Sequence, residues 1–370
     1  MLSCICQKKN VILQPIEYNP LIIILMKKIF TLFAAMVFAS SMTMKAVEIY
    51  GVYDESAKEL TLYYDDEMST RGGDDNWSNI YREAQTVTLD KSMQDARPES
   101  TGGWFYEFSE LNEIKHLDYL NTSEVTNMSQ MFQRCYALTA LNLSHFDTKK
   151  VTDMSNMFAD CQSITALDLR SFNTEEVTTM YAMFFCCYKL ASLDISTFTT
   201  DKVTNMASMF SCCQNLATID VSRFNTANVT TIAFMFYSCD VLTELDLRSF
   251  DISNVETMGE MFRSCNQLAK IYCDSDWSST TAYSSWMFNF CFALTGGKGT
   301  PFNDDFINAE YARPDEGPDS DQPGYFTRSS ETGIESLQQS VVSCQKVLRD
   351  GALFIERGEK VYSITGQEVK

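Results

Sequence analysis

The feature that most constrains the fold of this chain is a Met-Phe pair that returns every 26 residues (157 − 131 = 26). Its methionines keep one unbroken register at Met131, Met157, Met183, Met209, Met235, Met261 and Met287. A fixed period of this size is typical of solenoids, in which each unit buries its apolar face against the next. One stack can therefore occupy most of a 370-residue chain that length alone would divide into two or three domains.

Each unit combines two apolar patterns of different period. Alternation in segments such as ITALDLRSF, where Leu167 and Leu169 flank a polar residue, predicts a short, half-buried strand. In VTNMSQMFQRC, from Val125 to Cys135, later apolar residues stand at offsets of 3, 6, 7 and 10 from Val125, which is one face of a helical turn. So short a segment predicts a short helix or an irregular turn. Stacking would bury methionine on methionine, so we interpret the Met-Phe pair as core.

Two units, FDTKKVTDMSNMFADCQSITALDLRS and FNTEEVTTMYAMFFCCYKLASLDIST, carry Val-Thr-x-Met, Met-Phe, Cys and Leu-Asp-Leu in order, with Ile195 as the last residue of that motif in the second unit. They resemble the repeats of BspA-type leucine-rich-repeat surface proteins, and the resemblance covers about residues 120–295. The pattern weakens where Ile232 replaces the first Met, where Ile252 replaces Thr, and where the unit starting at Tyr272 loses Leu-Asp-Leu. The resemblance implies an exported, non-enzymatic protein of Gram-negative anaerobes, some members being adhesins that bind host matrix or other cells.

The flanking regions predict a capped array. Residues 26–46 have the basic start, apolar run and small residues of a secretory signal peptide, and residues 1–25 are interpreted as an upstream extension. Residues 47–122 are expected to form a mainly β cap for the array at 123–295. Residues 296–330, rich in Gly, Pro and Asp, predict a closing loop or linker. Residues 331–370 predict a β-hairpin-like tail that weakly resembles a sorting segment.

The predicted fold class is a leucine-rich-repeat solenoid, with one short parallel strand and a short helical or irregular return arm per repeat. The composition then limits the classes of partner that such a protein could bind. A net charge of −20 disfavours nucleic acid and anionic membrane surfaces, which need a basic patch. The only histidines are His116 and His145, and the sequence has no G-x-S-x-G, phosphate loop or His-anchored triad. We therefore expect no catalytic residues, metal or cofactor. No apolar run predicts an integral membrane span in the mature chain.

Cysteine also follows the 26-residue register, in a column from Cys135 to Cys291, with a short second column at Cys186 and Cys212. No paired CxxC or neighbouring histidine favours zinc. We predict small buried thiols. Oxidised pairs remain an alternative, because equivalent positions on neighbouring coils fall within the Cα spacing of a disulfide. A reactive-thiol function is the remaining alternative, disfavoured because apolar burial raises a thiol pKa.

An acidic column follows the strand face, where Asn142 and four aspartates stand between the inward leucine-type positions. One interpretation is local, with each carboxylate accepting hydrogen bonds from nearby N–H or hydroxyl groups. The other is a surface for basic ligand groups or a divalent cation. On that hypothesis the ligand-binding residues are Asp168, Arg170, Asp194, Asp220, Asp246 and Arg248. We predict no catalytic residues and no metal ligands.

The sequence thus favours an exported cell-surface or secreted binding protein of the adhesin type. Its repeat surface would recognise a protein ligand, such as one of the host extracellular matrix or of another cell surface. One alternative is a structural scaffold of the bacterial envelope without a host ligand. A remote alternative is a hydrolase with its site in the N-terminal cap, which holds acidic residues but no recognisable catalytic arrangement.

Overall fold

The computed structural model describes residues 47–80 and 82–329, and the backbone of four strands between 345 and 369. The chain divides into two compact units, Met1–Val47 and Glu48–Lys370. The predicted upstream extension and signal peptide lie outside the described residues.

The N-terminal segment is mainly β, as predicted. Its strands are β1 (Glu48–Asp54), β2 (Glu59–Asp65), β3 (Thr86–Leu89) and β4 (Glu113–Lys115). Strand β1 pairs antiparallel with β2, and β2, β3 and β4 then run parallel. Its short helical segments are the α-helices Met68–Arg71 and Trp77–Ile80 and the 3₁₀ turns Lys91–Asp95 and Leu117–Tyr119. The parallel register of β3 and β4 introduces the stacking direction of the array.

The Met-Phe segments form return arms that pair with one another along the whole array. In each pair of coils, four amides of one arm donate to carbonyls of the next; Phe132 N, for example, donates to Met157 O at 2.9 Å. The arms also share a line of parallel bridges at Ser100, Asn127, Asp153, Thr179, Asn205, Thr231, Thr257 and Tyr283. The ladder starts at Ser100, so arm-like structure begins inside the segment interpreted as the cap.

The arms are irregular, and the helical alternative is wrong: no helical segment occurs within residues 123–295, all of which are described. Each arm is a run of overlapping β-turns, as where Met131 N donates to Met128 O and Cys135 N donates to Phe132 O. A β-turn of type II needs a positive φ at its third residue, and Gln130 and Arg134 supply it at 59° and 64°. The same two positions recur in every later arm of the array. Offsets that suggest a helical face therefore arise from successive turns.

The arms bury the core that the sequence predicts. The rings of Phe132, Phe158, Phe184, Phe210, Phe236, Phe262 and Phe288 stack in order. Neighbouring centroids are 5.6–6.0 Å apart, and every Met-Phe residue of the array is fully buried. Burying one such ring stabilises the fold by about 1.5–3 kcal/mol. A continuous apolar interior is therefore formed by identical residues on successive coils.

A ladder of buried threonines closes the corner before each arm. Thr174 Oγ1 donates to Thr199 O at 2.7 Å and accepts from Thr199 N at 2.8 Å, so one hydroxyl satisfies two backbone groups of the next coil. Thr122, Thr148, Thr200 and Thr226 repeat the arrangement. The ladder ends at Ile252, which has no hydroxyl. These threonines of the array thus satisfy backbone groups at the corners.

The strand side is less regular than the arm side. Strand β5 (Ala166–Asp168) pairs in parallel with β6 (Ser192–Asp194), and β7 (Glu244–Asp246) pairs with β8 (Lys270–Tyr272). The equivalent residues 140–142 and 218–220 do not form strands. The predicted short parallel strand therefore forms in some coils of the array but not in all of them. The solenoid fold is confirmed.

The segment after the array supplies the strand that the last unit lacks. Strand β9 (Phe326–Thr327) lies parallel to β8, and Phe326 packs edge-on against Trp277 with centroids 5.1 Å apart. Between them, a short 3₁₀ turn spans Ala309–Tyr311. The closing loop is fixed around Asp315, whose carboxylate accepts from the backbone amide of Thr300 at 3.0 Å. Residues 296–330, predicted to be a closing loop or linker, therefore contribute a strand and buried side chains to the core.

Four further strands follow: β10 (Gln345–Arg349), β11 (Ala352–Arg357), β12 (Lys360–Ser363) and β13 (Glu368–Val369). They form a sheet in chain order with every neighbouring pair antiparallel.

Candidate strand-face binding site

The acidic column lies on the solvent side of the strands. Asp168 and Asp194 are directly paired across β5 and β6, and their neighbours Leu167 and Leu193 are paired beside them. Asp246 lies in β7, whereas Asp220 holds the equivalent position in a coil without a strand. The alternation of the sequence pattern therefore places carboxylates outward on each coil, as the period of a strand requires.

Each of these carboxylates has partners on its own coil. Asp194 accepts from Ser196 N at 3.0 Å, and Asp220 accepts from the amide and hydroxyl of Ser222 at 3.0 and 2.6 Å. The hydrogen bond from Ser196 lowers the pKa of Asp194. The local interpretation of the column is confirmed, because an acceptor two residues before a donor satisfies the corner of the coil.

Asp168 and Arg170 form an exposed ion pair at the first aspartate of the column. Arg170 Nε lies 2.8 Å from Asp168 Oδ1, and more than half of each side chain is exposed. Hydrogen bonds from the Arg170 side chain, then from its backbone amide, lower the pKa of Asp168 to about 2. The carboxylate therefore stays charged at any ordinary pH.

Asp168, Arg170 and Asp194 line one shallow depression between the coils of β5 and β6, and partly exposed Leu193 also contributes to its wall. The depression presents two carboxylates and one guanidinium around a small apolar surface. Such a mixture suits a protein side chain that brings a basic group and a methylene stem. These three predicted residues are therefore the ones that the fold brings together.

Asp246 and Arg248 belong to a different environment. Arg248 Nη1 lies 3.4 Å from Ser329 Oγ, in the segment that closes the array, and only about a quarter of each side chain of the pair is exposed. Burial disfavours the charged form of Asp246, but hydrogen bonds from Arg248 outweigh it and lower the pKa. This pair helps to hold the closing segment, while Asp220 lies between the two groups.

Two further surfaces of the protein were not predicted from the sequence. Near the start of the strand face, His116 and His145 line a second depression together with Glu113 and Asp118. Burial lowers the pKa of His145. The two histidines are 29 residues apart (145 − 116 = 29), so they carried no recognisable motif.

The second surface is an aromatic patch on the last arm, formed by Tyr283, Trp286, Phe290 and Phe292, each more than 40% exposed. The guanidinium of Arg263 lies 5.0 Å from the centre of the Trp286 ring. The sequence feature that indicates this patch is the presence of aromatic residues at positions 286 and 290, where most other arms have polar or small residues.

The buried cysteine column is made of free thiols. Cys161 Sγ lies 3.2 Å from Phe132 O, and each later member of the column contacts the carbonyl of a Phe on the preceding coil in the same way. Burial raises the pKa of these thiols, to about 12 for Cys187. The prediction of small buried thiols is confirmed for this column, and the oxidised alternative does not describe it.

Within residues 47–80 and 82–329, no group of three or more His, Cys, Asp or Glu side chains is arranged to hold a metal ion. The helices in this part of the chain are all too short or too polar to cross a bilayer. In the cap, Tyr50 Oη donates to Asp65 at 2.6 Å and Arg71 pairs with the same carboxylate. This acidic cap residue is thus engaged in a local network.

Comparison with protein families gives two overlapping matches, at residues 100–216 and 185–295, to the family described as "Mycoplasma protein of unknown function, DUF285". Together they span residues 100–295, which is 196 of 370 residues. The chain belongs to the DUF285 family. The DUF285 match covers every Met-Phe pair of the array. The 26-residue repeat family predicted from the sequence motifs is therefore confirmed by this match and by the stacked coils.

Similar solved structures include a leucine-rich repeat protein from Bacteroides ovatus, at 15% identity, covering 67% of this chain and 80% of that one, with a TM-score of 0.29. Another is a leucine rich cell surface protein from Faecalibacterium prausnitzii, at 15% identity, covering 68% and 93%, with a TM-score of 0.27. These TM-scores are too low to support a structural argument. No curated protein matches the chain.

Proposed function

We propose that the chain is an exported binding protein that docks a protein ligand on its repeat surface. The observation that carries this proposal is the aromatic patch of Tyr283, Trp286, Phe290 and Phe292 beside Arg263. Large exposed rings are costly to leave in water, and Trp, Tyr and Arg dominate the energetics of protein interfaces. A patch of this composition supports a protein-binding role better than a purely structural one.

The patch is built into the backbone. A Cβ at Gly259 would lie only 2.7 Å from a ring carbon of Tyr283, so glycine allows the ring to lie against the preceding coil. Two arms earlier, Phe234 is another exposed ring, which packs against Tyr237 with centroids 6.0 Å apart. Exposed aromatic rings therefore occur on more than one coil of the array, as binding to an extended face requires.

The strand face is the second proposed contact, through Asp168, Arg170, Asp194 and Asp220. Its depression offers charge for a basic ligand group, and the net charge of −20 favours a basic partner through long-range attraction. Asp246 and Arg248 contribute less, because the closing segment already engages Arg248.

Binding of the full chain to immobilised extracellular-matrix proteins tests this proposal. We expect Trp286→Ala with Phe292→Ala to weaken binding at least tenfold, which is the loss of one interface hot spot. Replacing Asp168, Asp194, Asp220 and Asp246 with Asn should give a smaller loss that shrinks with added salt. Phe306→Ala, a partly buried aromatic outside the patch, is the control. Unchanged binding by both folded variants would reject the two contacts.

Proteolysis of intact cells tests the location separately. Cleavage of the array on intact cells supports export to the surface, and protection until lysis contradicts it. A pull-down from the same cells distinguishes an adhesin from an envelope scaffold, since a scaffold would recover bacterial envelope partners and show no binding to matrix proteins.

A further inference from the structure

Cys186 and Cys212 form a thiol pair that is separate from the buried column. They occupy equivalent positions on neighbouring coils, 26 residues apart (212 − 186 = 26), and both have positive φ, at 56° and 60°. Their amides belong to the arm ladder, with Cys186 N donating to Ser211 O at 2.8 Å. The two backbones therefore face one another in fixed register.

These thiols differ in direction from their immediate neighbours. Cys187 and Cys213 are fully buried, and each contacts a Phe carbonyl of the preceding coil at 3.2 Å. Cys212 is only half-buried and Cys186 is 6% exposed, and the two thiols lie close enough to shift each other's pKa. Two thiols at equivalent positions thus lie side by side near the surface.

The spacing of the coils suits a covalent link between them. Equivalent rings of Phe184 and Phe210, on the same two coils, have centroids 5.7 Å apart and are within 3° of parallel. A disulfide needs Cα atoms about 4.4–6.8 Å apart. We propose that Cys186 and Cys212 are a modification site, which forms a disulfide between these two coils on reaction with a low-molecular-weight disulfide.

The two thiols are suited to different steps. Interaction with Cys186 lowers the pKa of Cys212, against the effects of burial and of the Asp240 and Asp160 carboxylates. The same interaction, together with burial, raises the pKa of Cys186. Cys212 is therefore the nucleophile, because it is the more exposed of the two thiols and the thiolate is the reactive form.

The reaction is a two-step thiol–disulfide exchange. The Cys212 thiolate attacks one sulfur of the oxidant, forming a mixed disulfide and expelling one thiolate. Cys186 then loses its proton to solvent, and its sulfur attacks the Cys212 sulfur and expels the second thiolate. Two protein thiols are oxidised, and one small disulfide is reduced to two thiols.

Oxidised glutathione added to the folded full chain, followed by alkylation, trypsin digestion and mass spectrometry, tests this proposal. The thiols fall in the predicted tryptic peptides 171–189 and 203–223. We expect the two peptides to be cross-linked with the loss of two hydrogen atoms. Cys212→Ser should abolish the cross-link, whereas Cys213→Ala, the matched control in the same peptide, should retain it.

Alkylation of the unmodified chain at pH 7 gives a readout that does not depend on the folding of a variant. Cys212 is more exposed than Cys186 and its pKa is lowered, so peptide 203–223 should take one label about tenfold faster than peptide 171–189. A cross-link that survives in Cys212→Ser, a mixed disulfide that never resolves, or no label before unfolding would each overturn the assignment.

Discussion

The arm side and the strand side of each coil join the stack in different ways. On the arm side, four amides per coil donate to the next coil without interruption, beneath a fully buried column of phenylalanine rings. On the strand side, three-residue strands pair in only two separate places within the array, and Leu141 and Leu193 on this side are only partly buried. The segment that looks most strand-like in sequence therefore contributes less to the stack than the irregular arm.

The difference teaches that hydrogen-bonded stacking does not require regular secondary structure. Overlapping turns place every second amide of the arm toward the next coil, so the arm satisfies its backbone while the buried side chains seal the interior. The strand side forms paired strands in only two places within the array. The predictions below test whether the arm dominates the stability of the fold.

The largest effect is expected for Phe210→Ala on the arm side. This ring is fully buried and stacks between Phe184 and Phe236 at 5.7 and 5.6 Å, so its loss leaves a cavity. We expect the free energy of unfolding in urea to fall by about 3–5 kcal/mol. Leu193→Ala on the strand side is the matched control, with an expected loss of about 1 kcal/mol. Equal losses would contradict the comparison.

The next effect is expected at the corner, for Thr174→Val. The change preserves shape but removes the hydroxyl that bonds both Thr199 O and Thr199 N. Two buried backbone groups lose their partner, so the free energy of unfolding should fall by about 1–3 kcal/mol. Thr178→Val, at an exposed hydroxyl that donates to Thr152 O at 3.1 Å, should change it by less than about 0.5 kcal/mol. Similar losses at both positions would show that burial of the hydroxyl does not matter.

A third effect concerns the turns of the arm. The residues with positive φ are Gln130, Arg134, Asn156, Asp160, Ala182, Cys186, Ser208, Cys212, Phe234, Ser238, Glu260, Ser264, Trp286 and Phe290. None is β-branched, which fits the steric cost of a branched Cβ in this conformation. Ser208→Val should therefore lower the melting temperature, through a destabilisation of about 1–2 kcal/mol. Ala207→Val, at the adjacent half-buried residue without a positive φ, should have a smaller effect; the reverse order would count against the turns.

The smallest effect is expected on the strand side, at Asp246. Its folded pKa lies below the ordinary 3.8, so the charged carboxylate stabilises the fold above that value, and the contribution is lost as pH falls through the folded pKa. Asp246→Asn should cost about 0.5–1 kcal/mol at pH 7, and the difference from the parent should shrink below pH 4. Urea titrations at several pH values would measure it, and a difference that grows in acid would contradict the sign.

Much of the fold follows from the sequence because one register is repeated. The buried Met-Phe pairs, the inward cysteine column and the outward aspartates all keep a 26-residue period, and stacking turns a period into a column. The conformation of the arm could not be predicted in the same way. Its positive-φ positions hold residues as different as Gln130 and Trp286, so no glycine marks the turns.

The pairing of a distant segment with the last strand of the array could not be predicted from the sequence either. Strand β9 takes the place beside β8 although it lies more than 50 residues later (326 − 272 = 54), and nothing local in its sequence names that partner. At the candidate site, the outward direction of Asp168, Arg170 and Asp194 was predictable from alternation, and so were their local hydrogen bonds. The burial of Arg248 near Ser329 was not, because it depends on the same closing segment.

Hydrogen–deuterium exchange, followed residue by residue, most directly tests the claim that the arm ladder holds the coils together. Amides of the middle arms, such as those of residues 180–186 and 206–212, should exchange only with global unfolding. Amides of the strand side at 140–142 and 218–220 should exchange at least tenfold faster. Equal protection on both sides, or slower exchange on the strand side, would contradict the account.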